Sequence, residues 1–495
     1  MDWWRRVDSA RSVGAVPDVR GITHDSRAVR PGDAFAALPG RHTDGHDYLE
    51  AALRAGAAAA VVQADREAKW APFASRLPLV VVPDARGALG WLAAAAYGDP
   101  ASTLRLIGVT GTDGKTTTSH LIAHVLDACG LDCGYLSSVG FEYGGGFEPN
   151  ASHMTTLEAT SIQAMLAGAV GNGRASMAVE ASSEGLAQHR LDGCEFDVAV
   201  FTNLTRDHLD FHGSMERYLA AKGLLFEMLD APSAKRFPCA AVLNADDAAS
   251  EYLRGRSKAP VVTYGLRDAD FSAAGVTAEG FSLSFRLRHA GREQRASVPL
   301  LGRFNAYNSL AAVAVAASQG VDVADAVAAL ASFPGVPGRL ERIEAGQAFG
   351  VFVDIASTGA ALENVLNALR PATTGRLWVV FGAAGGRDPI RRSSMGEVAA
   401  RLADRCVLTN EDPRDEDPDA IIGAIAGALS AAGRQEGSDF ARIPDRRAAI
   451  GYAFENARPG DTVLLAGKAT ETTIVFADGA APWDERAVAR GLLTS

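Results

Sequence analysis

Leu104-Arg105-Leu106-Ile107-Gly108-Val109-Thr110-Gly111-Thr112-Asp113-Gly114-Lys115-Thr116-Thr117-Thr118 decides how this 495-residue chain is read. The apolar, partly β-branched run from Leu104 to Thr110 predicts a buried strand. Leu121, Ile122, Val125 and Leu126 then follow helical spacing, and Gly130 stops them. Between strand and helix stands Gly111-x-x-Gly114-Lys115-Thr116, the composition of a phosphate cradle. Glycines let backbone N–H groups close on phosphate oxygens, and the helix N-terminus adds partial positive charge. Lys115 would reach the β/γ-phosphates of a bound nucleotide, and the Thr116 hydroxyl would hold Mg²⁺. Val109 stands where the longer Walker pattern has glycine, so the stretch reads as a shortened P-loop.

Downstream, two more apolar runs end in polar residues. Ala175 to Val179 leads into Glu180-Ala181-Ser182-Ser183, and Asp197 to Phe201 leads into Thr202-Asn203-Leu204-Thr205-Arg206-Asp207-His208. In a parallel α/β sheet the carboxyl ends of strands converge on the ligand crevice, so Glu180 and His208 are candidate metal ligands. Met215 to Leu229 reads as an amphipathic helix, on which Lys222 taken alone is a solvated lysine. A β-rich patch, Phe281 to Leu287 and Glu293 to Leu301, predicts a hairpin.

Phe333-Pro334-Gly335-Val336-Pro337-Gly338-Arg339 is a stiff linker. Beyond it, predicted strands at Val351–Asp354, Leu377–Phe381, Cys406–Leu408 and Thr462–Ala466 alternate with helices, a second α/β domain without a P-loop. Its Gly-rich turn is Gly382-Ala383-Ala384-Gly385-Gly386-Arg387-Asp388. Before the P-loop, residues to about Gly98 alternate short strands and helices. They carry Thr23-His24-Asp25-Ser26-Arg27, hydroxyls and a guanidinium suited to anionic or carbonyl oxygens. The expected division is residues 1–98, 99–335 and 336–495, in line with the length prior of about three domains.

Hydrophobic residues make up 47% of the chain, enough for several cores, and charged residues 22%. The net charge of −11 argues against a nucleic-acid partner and gives no basic membrane footprint. No apolar run approaches the roughly 18 residues that span a bilayer. Met1 to Arg6 lacks an apolar signal segment, and Cys129, Cys133, Cys194, Cys239 and Cys406 form no C-x-x-C pair. They are expected to be reduced core residues of a cytoplasmic protein.

Taken together, these motifs resemble the Mur ligases, ATP-dependent enzymes that add amino acids during peptidoglycan synthesis. The likeness runs nearly end to end and is strongest for the branch that adds the third residue. Phe201-Thr202-Asn203-Leu204-Thr205-Arg206-Asp207-His208-Leu209-Asp210 is its most specific stretch. It implies a uridine-nucleotide domain, a central P-loop ATPase domain and a C-terminal Rossmann-like domain, in a cytoplasmic monomer acting on small molecules. Ser26 would hold the uridine nucleotide. Thr155, Thr156, Ser182 and Arg190 would grip a UDP-linked muramoyl dipeptide. Gly111, Thr112, Asp113, Gly114, Lys115, Thr116 and Thr117 would bind ATP, with Asn305, Asn308, Arg339 and Asp354 on its adenosine part. Mg²⁺ would fall to Thr116, Glu180, His208 and Lys222, the last matching a lysine that the family carbamylates. Lys115, Lys222 and His208 would be catalytic. Arg387, Asp412, Arg414, Gly467 and Glu471 would receive the incoming amino acid.

Several motifs depart from the family pattern. Thr-Thr-Pro is Thr155-Thr156-Leu157, Ser-Ser-His-Ala-Leu is Ser182-Ser183-Glu184-Gly185-Leu186, and Asp-Asn-Pro-Arg is Glu411-Asp412-Pro413-Arg414. Histidine is also replaced at Ser357 and Thr470. The implied chemistry is attack of an acceptor carboxylate on the γ-phosphate, followed by attack of an amine on the acyl phosphate. Arg414 favours meso-diaminopimelate as the amino acid, through a bidentate pair with its far carboxylate; lysine and ornithine are the alternatives. Two rivals stand beside this reading: a diverged ligase of a specialised pathway and a non-catalytic nucleotide-binding module.

Overall fold

The computed structural model describes residues 2–40, 43–152, 154–231 and 234–494. The strand Arg105–Thr110 is buried at every position, as expected of a parallel strand covered on both faces. Its one charged residue, Arg105, is satisfied locally: Nε donates to Gln319 Oε1 at 2.9 Å, Nη1 donates to Ser176 Oγ, and the guanidinium lies over Phe237.

The chain divides into two compact units. The first comprises residues 1–273, 287–294 and 307–330; the second comprises 274–286, 295–306 and 331–495. Within the first, Ile22–Thr23, Ala34–Ala36, Ala59–Gln63 and Leu79–Val82 pair in parallel, and Arg11–Val13 closes that sheet antiparallel. A second, larger sheet of this unit has the parallel order Cys133–Leu136, Ser176–Glu180, Arg105–Thr110, Val198–Phe201, Ala240–Asn244, Val261–Gly265. The P-loop strand therefore sits between the two strands that carry Glu180 and the Thr202 loop. Register fixes their level: Glu180 pairs with Val109, and Phe201 with Thr110.

Gly108 has a packing role within this strand. A Cβ there would lie 2.5 Å from Leu225 Cδ1, so glycine makes room for this side chain of the helix Met215–Glu227, which would otherwise have to turn aside. The expected hairpin forms from Ser282–His289 and Arg292–Val298, and its residues are divided between the units.

In the second unit Gly350–Asp354, Thr462–Ala466, Leu377–Phe381, Arg405–Leu408 and Phe440–Arg442 form a parallel sheet with an antiparallel edge strand, Glu341–Arg342. Leu366, Val379, Phe381, Ile425 and Leu464 are among its fully buried core residues. Among the described residues no helix is long and apolar enough to cross a membrane. The cysteines are all free, but the expectation that all are core residues fails. Cys239 is exposed, just ahead of the buried strand Ala240–Asn244, and Cys129 is half-buried at a helix end.

Candidate active site

Gly111–Gly114 forms the turn between the strand and the helix Lys115–Ala128. Gly111 has φ +147, and a Cβ there would fall 1.8 Å from Thr202 Oγ1, so no other residue fits. The loop after Val198–Phe201 braces this turn. Thr202 Oγ1 and Asn203 Nδ2 donate to Asp113 O, Asp113 N donates to Asn203 Oδ1, and Thr112 N donates to Asn203 O. Thr112 Oγ1 accepts from Thr205 N and lies 3.1 Å from the Tyr218 hydroxyl. Asn308 accepts from Thr118 Oγ1 and packs against Gly114. Lys115 Nζ donates to the carbonyls of Gly111 and Thr112, at 3.0 and 2.8 Å, which holds the ammonium over the turn.

Lys222 overturns the reading of a solvated lysine. It is 1% exposed, packed over the Tyr218 ring, and its Nζ donates to Gly111 O at 2.8 Å. Two lysines thus share one carbonyl. Burial, together with the neighbouring Lys115 charge, pulls the Lys222 amine down to about 6, so at neutral pH it is an uncharged nucleophile. A neutral buried amine is the form that adds CO₂.

Glu180 is buried and anchors the other side. Its oxygens accept from Ser138 N at 2.8 Å and Ser138 Oγ at 3.0 Å, and Ser138 Oγ also lies 3.1 Å from the Thr155 hydroxyl. Thr156 Oγ1 donates to Glu180 O and accepts from Ser182 N. Ser182 Oγ caps the helix Ser183–Ala187, and Arg190 Nη1 donates to Thr156 O. The structure therefore gathers Thr155, Thr156, Ser182, Arg190 and Glu180 into one network, in which Thr156 is a structural bridge. Thr156→Val leaves Ser182 N unsatisfied. It is expected to cost about 2 kcal/mol, read as a shift in the urea midpoint at unchanged slope.

His208 lies in the left-handed region at φ +50, with its imidazole 46% exposed. Among the described residues no three His, Cys, Asp or Glu gather as a metal group. The donors offered beside the P-loop are the Thr116 hydroxyl, the Glu180 carboxylate and the His208 imidazole, and a carbamate on Lys222 would add an anionic oxygen. That oxygen-rich set fits a hard divalent cation such as Mg²⁺.

Ser26 is half-buried in the Asp25–Arg27 turn. There Asp25 accepts from Arg27 N, Nε and Nη2, which holds the Asp25 carboxyl down at about 2.

In the second unit, Asp354 accepts from Leu340 N and Ala356 N, and burial pushes its carboxyl up against the pull of Arg339. Arg339 Nε is buried with no hydrogen-bond partner among the described residues. Asn305 donates to Leu301 O. Gly385 N donates to Asp412 O at 2.8 Å, which joins the Gly-rich turn to the Glu411–Arg414 loop. The Arg414 side chain runs beside Gly386, next to exposed Arg387. Asp412 accepts from the buried Lys468 at 2.7 Å and from Val475 N, and Lys468 also pairs with Glu471. Beside Gly467, Glu411 Oε2 is buried with no hydrogen-bond partner among the described residues, and burial raises its carboxyl to about 7. A cavity of about 350 Å³ in this unit, lined by Phe281, Leu300, Phe333, Arg342 and Phe352, contains none of the expected site residues.

Residues 18–97 match the Mur ligase family catalytic domain, 109–316 the Mur ligase middle domain and 338–469 the Mur ligase glutamate ligase domain. A UDP-N-acetylmuramyl-tripeptide synthetase of Roseiflexus sp. (strain RS-1) is 44% identical, over 96% of this chain and 95% of that protein. This chain belongs to the Mur ligase family. A UDP-N-acetylmuramoyl-L-alanyl-D-glutamate–2,6-diaminopimelate ligase of Geobacillus thermodenitrificans is 41% identical over 96% of this chain and 95% of its own. A solved structure of a ligase of that name superposes with TM-score 0.68 at 32% identity, covering 96% of this chain and 94% of that one.

Membership makes the chain an ATP-dependent ligase built from three Mur ligase domains. Sequence reasoning missed several parts of this Mur ligase site. Thr202, Asn203 and Thr205 hold the P-loop, Tyr218 covers Lys222, and Lys468 takes up the Asp412 and Glu471 carboxylates. Tyr218 was findable: Tyr218, Ala221, Lys222, Leu225 and Phe226 share one helix face, and all are buried.

Proposed function

We propose that this ligase catalyses the MurE-type reaction: ATP-dependent addition of meso-diaminopimelate, the third amino acid, to UDP-N-acetylmuramoyl-L-Ala-D-Glu in cell-wall synthesis. One observation carries the choice of amino acid. The Asp412 carboxylate is engaged by Lys468 and the Val475 amide. It therefore does not neutralise Arg414, whose guanidinium is suited to a distal carboxylate and would repel a terminal ammonium. The names of the diaminopimelate ligases it resembles support the same choice.

In this reading Gly111–Thr117 bind ATP, with Asn305, Asn308, Arg339 and Asp354 assigned to its adenosine part. Ser26 serves the uridine nucleotide, and Thr155, Thr156, Ser182 and Arg190 orient the dipeptide. Lys115 stabilises charge on the transferring phosphoryl group as the acceptor carboxylate attacks it. Mg²⁺, held by Thr116, Glu180, His208 and carbamylated Lys222, would supply further charge neutralisation. Arg387, Asp412, Arg414, Gly467 and Glu471 then orient the amine that attacks the acyl phosphate and releases phosphate. We assign the domain boundaries to residues 98/99 and 335/336, and the working form to a cytoplasmic monomer.

The test is phosphate release with ATP, the muramoyl dipeptide and each of diaminopimelate, lysine and ornithine. Diaminopimelate is expected to lead in kcat/KM by tenfold or more, about 1.4 kcal/mol of discrimination. A lead of that size for an amine-terminated amino acid removes Arg414 from the distal-carboxylate role. The altered residues Leu157, Glu184, Ser357 and Thr470 favour a second reading, a diverged ligase with another acceptor or amino acid. Phosphate release with none of these combinations, but with another acceptor or amino acid, would establish it over the first.

A further inference from the structure

Arg446 opens the helix Arg446–Asn456, and its guanidinium is buried inside the second unit against Glu485, at 1% and 0% side-chain exposure. Its donors are divided between two tasks. Nε and Nη2 donate to the two carboxylate oxygens of Glu485, the first residue of the helix Glu485–Thr494, at 2.9 and 2.6 Å. Nη2 also donates to Ala466 O at 2.8 Å, and Nη1 donates to Asn410 O at 3.1 Å. Those carbonyls stand at the exits of two strands, Thr462–Ala466 and Arg405–Leu408, which do not pair with each other; Leu377–Phe381 runs between them. Directly after Ala466 and Asn410 begin Gly467–Glu471 and Glu411–Arg414, the two loops assigned to the amino acid. Glu485 is itself held, by a bond from Trp483 Nε1.

A buried ion pair is a poor source of stability. Taking both charges out of water offsets most of their attraction, and apolar residues of similar volume commonly serve as well. What an apolar pair cannot do is bond a carbonyl. A planar guanidinium bonds several acceptors at fixed angles, which a single ammonium does not. We infer that Arg446 is a positioning residue for the amino-acid site. By bonding Asn410 O and Ala466 O at once, with Glu485 fixing its plane, it sets the spacing of the Glu411–Arg414 and Gly467–Glu471 loops. Lys468 ties the same loops through the side chains of Asp412 and Glu471, whereas Arg446 acts on the backbone at their bases. The inference rests on the reading of those loops as the receptor of the incoming amino acid.

The test uses the whole enzyme and phosphate release, with ATP, the muramoyl dipeptide and diaminopimelate varied in turn. Arg446→Met combined with Glu485→Met removes both charges together, so the thermal midpoint should stay close to that of the wild type. The KM for diaminopimelate is expected to rise about tenfold or more, while kcat and the other two KM values change less than about threefold. Arg446→Lys, which keeps the ion pair but loses the fork, should show the same selective rise. It decides alone if the double variant does not fold. Each variant is assayed below its unfolding midpoint, so only folded enzyme is compared. Arg414→Ala is the control for the site: an unchanged KM for diaminopimelate there would overturn the amino-acid reading itself. A raised KM in Arg414→Ala with an unchanged one in the double variant would overturn only the inference about Arg446. Equal rises in all three KM values, or a fall in kcat alone, would overturn it too, since the pair would then act on the fold at large.

Discussion

Lys222→Ala is expected to lower kcat by about 10²–10³-fold, and millimolar formate or acetate should restore part of it. The amine is buried at 1% exposure and shares the Gly111 carbonyl with Lys115. Burial and that neighbouring charge hold it at about 6. At pH 7–8 it is therefore unprotonated. Attack on CO₂ forms an N–C bond, the nitrogen loses a proton, and the product carries a negative oxygen next to Lys115. A small free carboxylate can occupy the space that alanine opens and replace that charge. Full activity of the alanine variant without rescue would remove Lys222 from the site. The same shift predicts a stability signature. The unfolded lysine holds its proton up to its ordinary value of 10.5 and the folded one only up to about 6. In that window the unfolded state binds more protons, so stability rises with pH. Lys222→Met should flatten that rise and stabilise the protein at pH 7, while leaving it inactive.

Lys115→Ala should be comparably damaging by a different route. Its ammonium sits over the turn, bound to the Gly111 and Thr112 carbonyls. Charge that moves onto phosphoryl oxygens during transfer needs a positive group already in place. Loss of about 10²–10³-fold or more in kcat/KM is expected, with no rescue by carboxylates. Near-normal ligation by the alanine variant would disprove the P-loop assignment. The contrast would separate the two proposed roles: Lys115 contributing a positive charge, Lys222 a site for building a negative one.

The strands were legible because parallel strands covered on both faces are continuous apolar runs. Leu377–Phe381 and Thr462–Ala466 form with the expected limits. The acceptor residues were legible only through family likeness, since nothing in Thr155, Thr156 or Arg190 alone reveals that they meet at Glu180. Buried charge was the least legible property. Lys222, Lys468 and the pair Arg446–Glu485 are all below 2% exposed in their side chains or residues. Their partners stand far off in sequence: Gly111 for Lys222, Asp412 for Lys468 and Glu485 for Arg446. A local pattern therefore records the charge but not what balances it. For Lys222 the helix face was a usable signal; for Lys468, after the all-buried strand Thr462–Ala466, the partners were not in view.

Gly108 carries a consequence for how tolerances are set in this enzyme. Leu225 Cδ1 occupies the space where a Cβ of residue 108 would stand, and Leu225 shares its helix with Lys222. The depth of the reactive amine beneath the nucleotide turn is thus calibrated by a missing carbon rather than by any group that takes part in the chemistry. One added methyl would press on the movable end of the Leu225 side chain, and only what Leu225 could not yield would pass along the helix toward Tyr218 and Lys222, while every reacting atom kept its identity. The chemical step can therefore be detuned from the floor of the sheet, by a change that leaves the active-site inventory complete.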